Sequence, residues 1–107
     1  MSLKWAPKDK DETLDYSLDW SRALESSETI QSVSWSIVNT EGDKVSFGTG
    51  NTISGLKNLS QTNTSTVATI YLNSGTDNKE YKLYCSVTTS AGRVKERAVK
   101  IRIREYN

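Results

Sequence analysis

Five carboxylates crowd the start of the chain, at Asp9, Asp11, Glu12, Asp15 and Asp19, and hard oxygen donors at that density could hold calcium. Calcium loops need geometry as well as charge. The DxDxDG turn is absent, and Asp15 and Asp19 fall at solvent-facing positions of an alternating segment, so the simpler reading is a solvated acidic face. Arg93, Lys95, Arg97, Lys100, Arg102 and Arg104 form a matching basic cluster near the other end. The chain contains no histidine, which removes the usual general base, metal ligand and pH switch. Its single cysteine, Cys85, is in phase with Leu83 and Val87, and reads as a small buried hydrophobe rather than a nucleophile. Gly48-Thr49-Gly50 precedes neither a helix nor a GK[ST] element, so it makes no phosphate cradle. No catalytic residue, no cofactor and no metal site is expected.

Fourteen basic and thirteen acidic residues give a net charge of +1, and no overall field draws the protein to nucleic acid. The stripe Lys100, Arg102, Arg104 lacks interleaved aromatics, so guarding an exposed strand against edge-to-edge pairing explains it better than nucleic-acid contact. No apolar run approaches the length needed to cross a bilayer, so no membrane segment is expected. The opening MSLKWAPKDKDE lacks the apolar core of a signal peptide. With one cysteine there is no intrachain disulfide, as suits folding in a reducing cytoplasm. Asn58-Leu59-Ser60 and Asn63-Thr64-Ser65 match the glycosylation pattern, but without a secretory signal they read as chance matches.

The elements that must position these charges are strands. From Lys79 to Arg104 two alternating runs flank Ser90-Ala91-Gly92, the signature of a β-hairpin with one face buried. Tyr81, Leu83, Cys85 and Val87 point inward on the first run, and Val99, Ile101 and Ile103 on the second. Val94 and Ala98 fall on the opposite phase to Val99, which predicts a β-bulge near Arg97 to Val99. Upstream, Leu3, Trp5 and Pro7 suggest a short edge strand, and the fully charged Lys8 to Glu12 a solvated connection. Leu14, Tyr16, Leu18 and Trp20 share one face of a second strand. A loop with at most one helical turn near Leu24 leads to a third, where Val33, Trp35 and Ile37 are inward. Asn39 to Asp43 is turn chemistry before a partner strand at Lys44 to Phe47. Thr52 to Ser65 holds few apolar residues and is expected to be a long mobile loop with a short strand near Ile53. Ala68, Ile70 and Leu72 mark the next strand.

Seven short strands without a convincing helix predict one all-β domain over residues 1–107, a seven-stranded immunoglobulin-like or fibronectin type III-like sandwich of two antiparallel sheets. The first, second and fifth strands are assigned to one sheet and the third, fourth, sixth and seventh to the other. Its core is expected around Trp20, Trp35, Tyr81, Leu83 and Cys85. Tyr81 sits where such sandwiches carry a tyrosine corner, with its hydroxyl returning to backbone near Leu72.

PKDKDETLDYSLDWSRALESSETIQSVSW, YKLYCSVTTSAGR and the ending ERAVKIRIRE together resemble small immunoglobulin-like virion proteins of tailed bacteriophages, of the tail-fibre adaptor type. The resemblance implies a non-enzymatic structural protein of the virion, assembled in the host cytoplasm. It implies protein partners, namely other tail or fibre components, rather than a small-molecule substrate; the opposed charge clusters suggest further copies of the chain, and charge and hydropathy leave no nucleic acid or membrane partner expected. Asp15 and Asp19 on one copy and Lys100, Arg102 and Arg104 on the next are the candidate interface, in a head-to-tail contact. The alternative is an immunoglobulin-like binding module for carbohydrate or cell-surface adhesion. Outward Tyr71 and Tyr84 would then supply the aromatic platform, although cross-strand pairing accounts for them as well.

Overall fold

In the structure, a computed structural model, residues 3–104 are described. They form ten strand segments in two sheets, where the sequence suggested seven strands. The long ones are β3 (Leu14–Asp19), β4 (Ile30–Val38), β7 (Leu56–Asn63), β8 (Val67–Ser74), β9 (Glu80–Thr89) and β10 (Val94–Arg104); the short ones are β1 (Leu3–Lys4), β2 (Lys8–Asp9), β5 (Lys44–Ser46) and β6 (Thr52–Ile53). The first sheet runs β1-β10-β9-β4-β5, with β2 also on β10, and the second runs β3-β8-β7-β6. A single 3-10 turn covers Ser21–Ala23.

Period-two patterning places the core. Leu18, Trp20, Trp35, Ile37, Ala68, Ile70, Leu72, Tyr81, Leu83, Cys85, Val87, Val99, Ile101 and Ile103 are all buried between the layers, because alternate side chains on each strand share a face. Tyr81 is buried, and its hydroxyl donates to Ser54 O (2.6 Å) and accepts the Thr76 N–H (2.9 Å). It therefore returns to backbone upstream, at Ser54 and Thr76 rather than near Leu72. Burial pushes the Cys85 thiol up to about 12, outweighing the Trp20 indole N–H and the Arg97 charge, so the sulfur stays protonated and packed.

Four expectations are corrected. The bulge near Arg97 to Val99 does not exist: β10 pairs with β9 without interruption from Val94↔Thr88 to Arg102↔Glu80. Lys95 and Arg97 occupy inner-face positions at the open end of the sandwich, where the Arg97 guanidinium lies 4.7 Å from the Trp20 ring centre and roofs it. The first strand joins the other sheet from the one assigned, since β1 and β2 both run parallel to β10. Thr52 to Ser65 is no mobile loop but contains the β6–β7 hairpin, and β7 pairs with β8 along its length with a register shift between Asn58 and Ser60. Lys8 to Glu12 is not simply a solvated connection. Lys8 stands opposite Ile103 and so faces inward; it is fully buried, and its ammonium donates to Ser74 O (2.7 Å) and to Asp9 O (2.8 Å). That ammonium ties the two sheets together at one end. Burial lowers the Lys8 pKa against the raising influence of Glu12, Asp9 and Asp11.

At the β3 edge Trp5 closes the gap between the layers. Its N–H donates to Lys100 O (2.9 Å), its indole Nε1 to Ser17 O (3.3 Å), and its ring stacks on Tyr16 with centroids 4.9 Å apart. One residue thus joins the edges of both sheets.

Candidate interaction surfaces

Strand parity decides where the charges point. On β10, Lys100, Arg102 and Arg104 alternate with buried Val99, Ile101 and Ile103, so the stripe covers the outer face of the first sheet. Lys82 lies opposite Lys100 across the β9 pairing, and Lys4 flanks it from β1. Glu80 and Glu96 partly offset this charge: Lys4 Nζ is 3.8 Å from Glu80, and Lys44 Nζ is 2.7 Å from Glu96. Lys44 and Lys82 also stand 4.3 Å and 5.3 Å from the centre of the Tyr84 ring. Tyr84 is therefore half-covered by ammonium groups.

Asp15 and Asp19 occupy the outer face of β3, at the edge of the second sheet, opposite Tyr71 and Val67 of β8. Because the two outer faces of a sandwich look in opposite directions, these carboxylates and the basic stripe lie on opposite sides of the molecule. The Ser21 N–H donates to Asp19 Oδ1 (2.9 Å), and that bond holds the Asp19 carboxyl below its usual range. The rest of the acidic cluster separates from this pair. Asp9 lies beside Arg104 in the β2–β10 pairing, its N–H is bonded to Glu12 and its carboxylate accepts the Asp11 N–H. Among the described residues no group of three or more His, Cys, Asp or Glu side chains is placed to hold a metal ion. Tyr71 and Tyr84 belong to outer faces of different sheets and build no common platform.

Sequence reasoning missed the strongest ionic contact. Glu28 is buried, its carboxylate gripped by Arg93 Nη2 (2.7 Å) and Nε (3.0 Å), Thr89 Oγ1 (2.5 Å) and the Glu25 N–H (2.9 Å). These contacts, the Arg93 bond foremost, pull its carboxyl down to about 2. The pair fastens the loop before β4 to the β9–β10 turn, and its partners are 65 residues apart, so nothing local in the chain announces it. Asn58 is likewise fully buried. It donates to Phe47 O and to Gln61, each at 2.9 Å, which closes that side chain to glycosylation.

The charges fall on opposite sides of a packed core, a basic stripe on the outer face of the first sheet and an acidic pair on the edge strand of the second. A comparison with curated proteins gives no match. A protein-family model described as "Podophage GP4 fiber-tail adaptor protein gp77" matches residues 8–102, a span that takes in β2 through nearly all of β10. The chain belongs to this podophage fibre–tail adaptor family.

Proposed function

We propose that the protein is a non-enzymatic connector of the phage virion, assembled in the host cytoplasm, that joins tail and fibre components through its two outer sheet faces. The observation that carries this is the placement of Asp15 and Asp19 on one face and Lys100, Arg102 and Arg104 on the opposite one. Unlike patches on opposite sides of one subunit cannot pair within it, whereas they match head-to-tail between copies. Family membership supports protein partners and a place in the virion. The burial of Trp20, Trp35 and Tyr81 between two sheets, and the Tyr81 hydroxyl bonded to upstream backbone, support an immunoglobulin-like affiliation for the sandwich.

Mass in solution, measured by light scattering across a salt series, tests the head-to-tail contact. Exposed charge pairs are screened beyond about 10 Å at 0.1 M salt, so assemblies present at low salt should fall apart as salt rises. A monomer at every ionic strength rejects the contact. Mass spectrometry of purified virions tests the location directly, and absence of the protein from the particle rejects the connector role.

A further inference from the structure

Among the described residues, the two guanidinium groups at the end of β10 have no ion-pair partner. Arg102 and Arg104 are two residues apart on one strand and so project from the same face. With Asp77 and Asn78 they line a hollow of about 210 Å³. Its wall is pinned: the Asn78 N–H donates to Ile103 O (2.8 Å) and the Ile103 N–H donates to Lys79 O (2.9 Å). Glu80, which faces Arg102 across the strand pair, sits instead beside Lys4. Among the described residues no ion pair reaches either arginine, and Asp77 shares the hollow without forming one. The Arg102 Nε is shielded from solvent and has no acceptor. A buried donor on a charged group is costly to leave unpaired, and such groups usually meet an ion or a ligand.

Charge selects the ligand. Of the groups lining the hollow, two guanidinium groups against the Asp77 carboxylate leave one positive charge, and Asp9 beside Arg104 lowers the local excess further, so a monoanion suits the hollow and a phosphate dianion overshoots. Guanidinium also offers a planar fork of donors that matches a carboxylate edge. We propose that this hollow is a socket for one aspartate or glutamate side chain of a protein partner, gripped by Arg102 with Arg104 alongside. The socket rests on the adaptor reading for its partner being a protein, but its chemistry is testable without that partner.

The full chain, labelled with nitrogen-15, is titrated with N-acetylglutamate α-amide, whose side chain is its sole carboxylate, with the uncharged N-acetylglutamine α-amide and with inorganic phosphate while the arginine Nε–H resonances are followed. The N-acetylglutamate α-amide should shift the Arg102 signal saturably, the N-acetylglutamine α-amide should not, and phosphate should bind about tenfold more weakly, the loss of roughly one well-matched contact. Arg102→Lys keeps the charge but removes the fork; in that variant the Arg104 Nε–H resonance is the readout, and the saturable shift it should show in the unaltered protein should be lost. If that variant does not fold, the three probes on the unaltered protein decide alone. A silent Arg102 signal, or phosphate binding as tightly as the N-acetylglutamate α-amide, overturns the socket. A saturating Arg102 response in a protein that stays monomeric at every salt concentration upholds the socket while rejecting head-to-tail assembly. Salt-sensitive assemblies with a silent Arg102 do the reverse.

Discussion

Replacing Tyr81 by phenylalanine removes one oxygen from the interior and changes little else. The ring is 1 % exposed, and phenylalanine fills the same space, so no substantial cavity opens. Two hydrogen bonds are lost, the donation to Ser54 O at 2.6 Å and the acceptance from Thr76 N–H at 2.9 Å. At about 0.5–1.5 kcal/mol net for each, the cost is about 1–3 kcal/mol. Thr76 is exposed and Ser54 half-buried, so water can replace part of what is lost and the lower half of that range is expected. Urea unfolding followed by tryptophan fluorescence reads the change; at an m-value of about 1.5 kcal/mol/M, a loss of about 1.5 kcal/mol moves the midpoint by about 1 M. Hydrogen exchange at the Thr76 amide supplies a local readout, and its protection should fall more than that of β9. An unmoved midpoint together with an unchanged Thr76 amide would refute the claim that this hydroxyl anchors the β6–β7 turn and the β8–β9 connection.

Trp35→Ala should cost about 3–5 kcal/mol, near the whole stability of a domain of this size, and denaturant titration should find it largely unfolded. Glu28 is held at about 2 in the folded state against an ordinary 4.5. Its contribution is therefore complete above about pH 4.5 and fades as acid approaches pH 2; the thermal midpoint of the unaltered protein should exceed that of Glu28→Gln at neutral pH, with the gap closing through that window. At Gly75 the backbone has φ 111°, and an added Cβ would lie 2.8 Å from the Ile103 side chain. Gly75→Ala should thus cost about 1–3 kcal/mol in the same urea assay, whereas Gly42→Ala, with open space around it, should lose only the smaller penalty of its positive φ.

Strands whose hidden face is apolar can be read directly from the chain. Tyr16, Leu18 and Trp20 on β3, or Leu83, Cys85 and Val87 on β9, announce both the strand and its orientation because only one phase is greasy. β7 hides for the opposite reason: its inward positions include Asn58 and Gln61, which bond to each other and to nearby backbone, and the register shift after Asn58 breaks the rhythm. Lys8 misleads in the same way, since an inward lysine with two carbonyl acceptors resembles a solvated charge in one dimension. The supposed bulge came from the apolar Val94 and Ala98 falling out of phase with Val99, whereas the inward positions there are Lys95 and Arg97, at the rim of the layers. At the surfaces, the alternation of Lys100, Arg102 and Arg104 was legible as a stripe. Two facts were not: that the acidic residues divide, Asp9 beside Arg104 and Asp15 with Asp19 on the far side, and that Glu28 meets Arg93. Each depends on which strands become neighbours, a matter of sheet order rather than local spacing.

The parallel course of β1 and β2 beside β10 sets how the fold meets tension. A pull applied to opposite ends of residues 3–104 would drag the opening segment and the closing strand past each other along their common axis. The bonds between them would be strained all at once instead of opening like a zip, with Trp5 and Lys8 as bolts at two points. In a single-molecule stretching experiment the greatest resistance should come first, before any other strand has peeled away.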